Sequence, residues 1–283
     1  MKIYPLNTGN FKLDGGAMFG IVPKSIWSKT NPADESNMCS WSMRAMLIED
    51  GNRLMLIDTG IGDKQSEKFF SYYYLFGNDS LIGNLKQLGF SPDDVTDVFL
   101  THLHFDHVGG AVKRMGEDRF VPVFKNATYW SNDKHWKWAT EPNPREKASF
   151  LAENILPIQE SGQLKFIERT GDFTANAFNN IDIQFVDGHT ESQMLPHIQY
   201  KDKTIVFVAD LLPSTGHIPL PYVMGYDTRP LLTLSEKEKF LKKAADENYI
   251  LFLEHDVMNE CCTVKNTEKG VRLDQTFKFN EYF

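Results

Sequence analysis

Cysteine is scarce. The chain of 283 residues has three, Cys39, Cys261 and Cys262, an odd number at no framework spacing. A disulfide scaffold is excluded, and reduced thiols in a cytoplasmic protein are expected. Cys261 and Cys262 follow His255 by a few residues, and ordinary thiols are expected there rather than ligands. Long apolar runs are also missing. Nothing approaches the roughly 20 residues that span a bilayer, so no membrane association is expected. Residues 1–7 carry no apolar region of the kind a signal peptide needs. Positive charge is in deficit: 30 Lys and Arg against 38 Asp and Glu give a formal charge of −8. No basic stripe interrupts that balance, so nucleic acid is not an expected partner. The Lys-rich piece 237–243 alternates with Glu and reads as a solvated helix face. No linker, low-complexity tract or solenoid repeat divides the sequence. A single domain over residues 1–283 is expected, with 41% hydrophobic residues to fill its core.

Histidine is few in number but concentrated. Three of the eight lie in His102-Leu103-His104-Phe105-Asp106-His107, directly after the apolar run 97–101. A strand that ends in such a segment delivers nitrogen and oxygen donors to one point, the set that Zn²⁺ and similar ions prefer. The same pattern recurs. Run 181–186 leads to Asp187-Gly188-His189-Thr190, run 204–209 ends at Asp210, and run 249–254 ends at His255. Strand ends along one edge of a sheet are where α/β proteins assemble sites.

With these elements in order, the chain resembles the metallo-β-lactamase superfamily, marked by its His-x-His-x-Asp-His loop. The resemblance runs from Met46 to His255. It implies that His102, His104 and His189 hold one metal, that Asp106, His107 and His255 hold a second, and that Asp210 bridges the two. It also implies that Asp58, in Ile57-Asp58-Thr59-Gly60, orients the site from behind the ligands. Two divalent ions held this way acidify a bound water and polarise a substrate oxygen, so hydrolysis follows without a Ser or Cys nucleophile. Asp106 and Asp210 are then catalytic as well as ligating. His104 matters here, because iron-bearing flavodiiron relatives carry a carboxylate at that position. An all-imidazole loop favours Zn²⁺, with Fe, Mn or Co as alternatives.

The lactonase-like branch, which includes N-acyl-homoserine lactone, ester and organophosphate hydrolases, fits the pattern best. A lactone or ester is therefore the expected substrate. Thioester and phosphodiester or phosphotriester hydrolysis are the alternatives, and a non-hydrolytic binding or oxidoreductase scaffold is a further one that the intact ligand set argues against. Two departures stand out. Many members read Gly-His-Thr-x-Gly-His, whereas Gly188-His189-Thr190 is followed here by Glu191-Ser192-Gln193. In the lactonases a Tyr three residues after the bridging Asp contacts substrate, and here that position is Pro213. His217, or a Tyr from 72–74, is the candidate replacement. Met18, Phe19, Trp27, Phe69, Phe70 and Tyr72–Tyr74 are read as core, as the wall of an acyl pocket or as a homodimer contact.

The pattern predicts strands at 42–49, 53–57, 97–100, 164–168, 181–186, 197–200 and 204–209. It predicts helices over 81–88, over 145–155 and after a capping box at Ser235-Glu236-Lys237-Glu238. Phe240, Leu241, Ala244 and Ala245 give the last helix a buried stripe. Asp106 and His107 open a short helix. The fold class expected is α/β, and the resemblance implies an αβ/βα four-layer sandwich of two mixed β-sheets with helices outside.

Overall fold

The computed structural model describes residues 1–283. The chain divides into two compact units, Met1–Asn10 with Met43–Arg169 and Phe11–Ser42 with Thr170–Phe283. A mixed sheet, of which β3, β4, β7 and β8 lie wholly in the first unit, has the order β1-β2-β3-β4-β7-β8. Its strands are β1 (Lys2–Asp14), β2 (Met38–Asp50), β3 (Arg53–Ile57), β4 (Asp97–Phe99), β7 (Thr128–Ser131) and β8 (Leu164–Phe166). The hairpin of β5 (Val112–Arg114) and β6 (Phe120–Pro122) stands apart. β2 and β3 join through a turn in which Gly51 takes φ 60°, where a side chain would be strained. β3, β4, β7 and β8 are parallel. Parallel strands are normally buried on both faces, and the two inner ones, β3 and β4, are almost wholly buried, whereas the edge strand β8 exposes Lys165 and Phe166. Leu54, Leu56, Val98 and Tyr129 pack in one cluster with Leu81, Leu85, Ile155 and Ile158 of the helices. The alternate residues Met55, Ile57 and Phe99 are buried as well.

The second unit is built on a seven-stranded sheet. Its members are β9 (Phe173–Phe178), β10 (Ile181–Val186), β11 (Gln193–Tyr200), β12 (Lys203–Phe207), β13 (Ile250–Phe252), β14 (Cys261–Thr267) and β15 (Gly270–Phe277). They lie in the order β15-β14-β13-β12-β11-β10-β9. β12 and β13 are parallel and the other neighbours antiparallel. Helix Pro230–Asp246 buries Thr233, Lys237, Phe240, Leu241 and Ala244. The class is thus α/β with two mixed sheets, as the pattern predicts. No helix is long and apolar enough to cross a membrane.

Three expectations are corrected. The helix predicted over 145–155 is a run of turns followed by a helix at Ala152–Glu160. The carbonyl of Ser149, which a helix would have tied up, instead accepts the N–H of Phe105 at 2.9 Å. The long helix starts at Pro230 and not at Ser235, since Pro fits the first turn, where its missing N–H is not needed. Lys237 is not solvated. It is 1% exposed, and its Nζ donates to the carbonyls of His217, Pro219 and Tyr222 at 2.8, 3.2 and 2.7 Å, so it clamps that loop.

Candidate metal centre

In the first unit, register places the site. Parallel pairing sets Ile57 opposite Phe99, so Asp58 and the segment from Leu100 onward leave the sheet side by side. Asp58, fully buried, takes φ 57° and turns its carboxylate onto that segment. Its Oδ1 accepts from the Thr101 N–H at 2.8 Å, and its Oδ2 accepts from the Thr101 hydroxyl at 2.6 Å and meets His107 Nδ1 at 3.1 Å. His102 Nδ1 lies 3.1 Å from the same hydroxyl. The rear nitrogens of two imidazoles are thereby occupied, leaving Nε2 of each facing away. His102 Nε2 meets His104 Nδ1 at 3.1 Å, and His107 Nε2 lies 3.8 Å from Asp106 Oδ2. Helix Phe105–Val108 carries Asp106 and His107, as predicted. Gly109 and Gly110 follow it, and a Cβ on either would stand 2.1–2.2 Å from the carbonyl oxygen of Ile61 or Thr59. The backbone needs both glycines for that approach.

The second unit has its own convergence. Phe207 of β12 pairs with Phe252 of β13. Asp210 and His255 lie the same three positions beyond them. His189 sits in the connection between β10 and β11, whose register closes at Val186–Gln193. The Asp210 carboxylate holds an imidazole at each oxygen: Oδ2 is 3.0 Å from His189 Nε2 and Oδ1 is 3.0 Å from His255 Nε2. Each ring is tied at its other nitrogen, His189 Nδ1 to Asp227 Oδ1 at 2.8 Å and His255 Nδ1 to the Ser42 carbonyl at 2.8 Å. Burial alone would lower the His189 imidazole, but the Asp210 and Asp227 carboxylates outweigh it and lift it to about 10. A cation there would take the place of that proton.

The donor set fits divalent ions. Two ligands on a four-coordinate ion with bonds of about 2.0–2.1 Å stand roughly 3.3 Å apart. The spacings of 3.1 Å (His102–His104) and 3.0 Å (His189–Asp210, His255–Asp210) sit close to that value. The buried imidazoles and carboxylates are of the kind that hold metal ions, and the anchoring of each ring by its second nitrogen is the arrangement such ligands require.

Several supporting residues escaped the sequence. Asp227 orients His189 from 38 positions away. Glu236, read as part of a capping box, instead accepts the N–H groups of Asp187 and Gly188 at 2.7 and 3.0 Å and so fixes the start of the His189 loop. A Cβ on Gly188 would stand 2.3–2.5 Å from atoms of Thr233 on the same helix. Ser192 occupies φ 56°, a left-handed conformation that favours the Gly found there in many members, and its N–H donates to Asp187 Oδ1 at 2.9 Å. With its amide oxygen turned toward residues 210–211, Gln193 accepts their N–H groups at 3.3 and 3.2 Å and supports the Asp210 turn. None of these could be named from sequence, because a carboxylate or amide carries no signature without its partner.

His217 is placed differently from the expected substrate contact. It is 1% exposed, stacked on Phe19 at 4.4 Å, and its Nδ1 and Nε2 meet Ser214 Oγ and the Met18 carbonyl at 2.8 and 2.9 Å. Burial pushes its imidazole down to about 3. A neutral ring with both nitrogens engaged is a packing element. Met18, Phe19 and Trp27 are core residues too.

A model of the metallo-beta-lactamase superfamily matches residues 44–255, three-quarters of the chain, a range that includes all seven residues expected as ligands. The chain belongs to the metallo-beta-lactamase superfamily. As a member of this superfamily it is a metal-dependent hydrolase. The N-acyl homoserine lactonase AiiA of Bacillus thuringiensis subsp. kurstaki is 24% identical over 272 residues, covering 92% of this chain and 94% of the relative. A probable metal-dependent hydrolase from Staphylococcus aureus has a similar structure, with a TM-score of 0.86 at 28% identity over 98% of both chains. AidC, a dizinc quorum-quenching lactonase in complex with a product, reaches 0.78 at 22% identity over 98% and 95%, a likeness of fold.

Proposed function

We propose that this chain is a dinuclear metal hydrolase acting on a lactone or ester. In this reading His102, His104 and His189 hold one ion, Asp106, His107 and His255 hold the other, and Asp210 joins them. Zn²⁺ is the ion an imidazole-rich set favours. The observation that carries the reading is Asp210, whose two oxygens each face a separately anchored imidazole at 3.0 Å. A carboxylate so divided is suited to two cations rather than one. This reading takes residues 1–283 as a single domain.

Ions bound there supply a water acidified to a pKa of about 7 and polarise the substrate oxygen. The protein's residues do the rest. Asp210 would offset the charge between the cations, and Asp106 would take the proton of the attacking water and pass it to the leaving oxygen of the substrate. Asp58, Asp227 and Ser42 hold the rings so that no reorientation accompanies the reaction.

The substrate reading rests on aromatic residues beside Asp106. Tyr73 packs on Phe105 at 4.7 Å and on Phe69 at 5.0 Å, and Phe69 meets Phe105 edge-on at 5.4 Å. Burial, together with the charge of Asp106, pushes the Tyr73 phenol up to about 12. This apolar wall suits an acyl or alkyl group, and Tyr73 replaces the donor that Pro213 lacks. Tyr72 and Tyr74, 59% and 54% exposed, are less suited to that role. The lactonase names of the relatives support the same class. The three free, buried cysteines fit a cytoplasmic setting. Steady-state kinetics on short- and long-chain lactones, aryl esters, an aryl phosphotriester, a phosphodiester and a glutathione thioester test the proposal. The highest kcat/KM is expected for a lactone or ester. A phosphodiester or thioester far above all of them would refute it.

A further inference from the structure

We propose that Glu146 is a positioning residue that decides which nitrogen of His104 faces the metal centre. The inference rests on the metal-centre reading above. His102, His107, His189 and His255 all have Nδ1 occupied, by Thr101, Asp58, Asp227 and Ser42, and all turn Nε2 toward the centre. His104 is reversed. Its Nε2 meets Glu146 Oε1 at 3.2 Å, and its Nδ1 faces His102 Nε2. An ionised carboxylate only accepts hydrogen bonds, so it holds the imidazole proton on Nε2 and leaves the Nδ1 lone pair for a cation.

Glu146 is itself fixed. It is 3% exposed, and its Oε2 accepts from Trp138 Nε1 at 2.6 Å and from Asn143 Nδ2 at 2.9 Å. Asn143 Oδ1 in turn accepts the Arg145 and Glu146 N–H groups at 2.9 and 3.2 Å. Trp138 lies on helix Asp133–Thr140, capped by Asn132. The same helix brings His135 Nε2 to the Leu103 N–H at 2.8 Å. Residues 132–149 therefore form a cradle that grips the metal loop at Leu103, His104 and Phe105. Flipping the His104 ring would put a ring carbon against Glu146 Oε1 and cost that buried hydrogen bond.

Glu146→Gln tests this with an isostere. The amide oxygen would keep the Trp138 and Asn143 bonds, which turns the NH₂ toward His104. That NH₂ donates to Nε2, moves the ring proton to Nδ1 and removes the lone pair the cation needs. In metal-free protein, long-range ¹⁵N–¹H NMR of the ring should show the Nε2–H tautomer for His104 in the wild type and the Nδ1–H tautomer in the variant. Titration with Zn²⁺ should show one of the two ions bound roughly 10–100-fold more weakly in the variant. Trp138→Phe, which loosens the carboxylate without touching His104, should give a smaller loss in the same direction and serves if Glu146→Gln does not fold. The same His104 tautomer with unchanged Zn²⁺ affinity in a folded variant would overturn the proposal. A wild type that binds no Zn²⁺ would instead sink the metal-centre reading, and the metal-free tautomer would still decide the role of Glu146.

Discussion

In the proposed centre Asp210 concentrates the chemistry in one side chain. Its neighbours His189 and His255 are anchored from behind by Asp227 and Ser42, so the carboxylate meets rings that cannot turn away. Replacing it with Asn keeps the shape, removes the charge and offers an NH₂ to one of the imidazoles. Asp210→Asn is expected to lose at least one ion per chain and to lower kcat/KM on the best substrate by about 10²-fold or more, as for other lost electrostatic stabilisers. Metal analysis and kinetics on the same preparation check this, and near-normal hydrolysis would mean that the bridge is wrongly assigned. At this scale the sequence was informative wherever side-chain chemistry is rare. Clustered histidines after apolar runs have few other uses. It was uninformative for Glu146, Asp227 and Glu236. Acidic residues are common, and these acquire their roles from partners 42, 38 and 49 positions away.

Elements turn those residues into a site through register. β3 beside β4, and β12 beside β13, each deliver two groups from neighbouring parallel strands at the same height. Strand ends were legible because hydrophobic runs stop where polar ligands begin. Helix starts were less so. Ser235-Glu236-Lys237-Glu238 satisfies a local capping rule, yet Pro230 begins the helix earlier, and Glu236 and Lys237 are drawn to loop amides and carbonyls. The interface of this helix with β11 also carries a pH dependence. His197 of β11 is 2% exposed, edge-on to Phe240 and Tyr249, with Nε2 on Gln184 Oε1 at 3.0 Å. Burial, aided by the nearby Lys243 cation, pushes its imidazole from 6.5 down to about 3. The unfolded chain then binds a proton below pH 6.5 that the folded chain refuses until about pH 3, so stability falls as pH drops through that window. The loss is about 1.4 kcal/mol per pH unit. Between pH 7 and pH 5 metal-free wild type should lose about 2 kcal/mol more than His197→Gln in urea unfolding. Equal losses would rule His197 out as the source.

The whole molecule is acidic, formally −8, and such a field disfavours polyanionic substrates. The aromatic wall of Phe69, Tyr73 and Phe105 stands beside Asp106, and the superfamily match covers every proposed ligand. The α/β class and the clustering of buried imidazoles and carboxylates were readable because strand periodicity and metal chemistry leave strong marks. The contacts of His217 and Tyr73 were not, since exposure of an aromatic or imidazole depends on packing that no local pattern encodes. The central claim is a two-metal hydrolase. Its most direct test is Zn²⁺ titration of chelator-stripped protein while lactone hydrolysis is followed. Activity should be absent in the stripped protein and should rise to a plateau at two equivalents per chain. Full activity at one equivalent, or undiminished hydrolysis without metal, would contradict it.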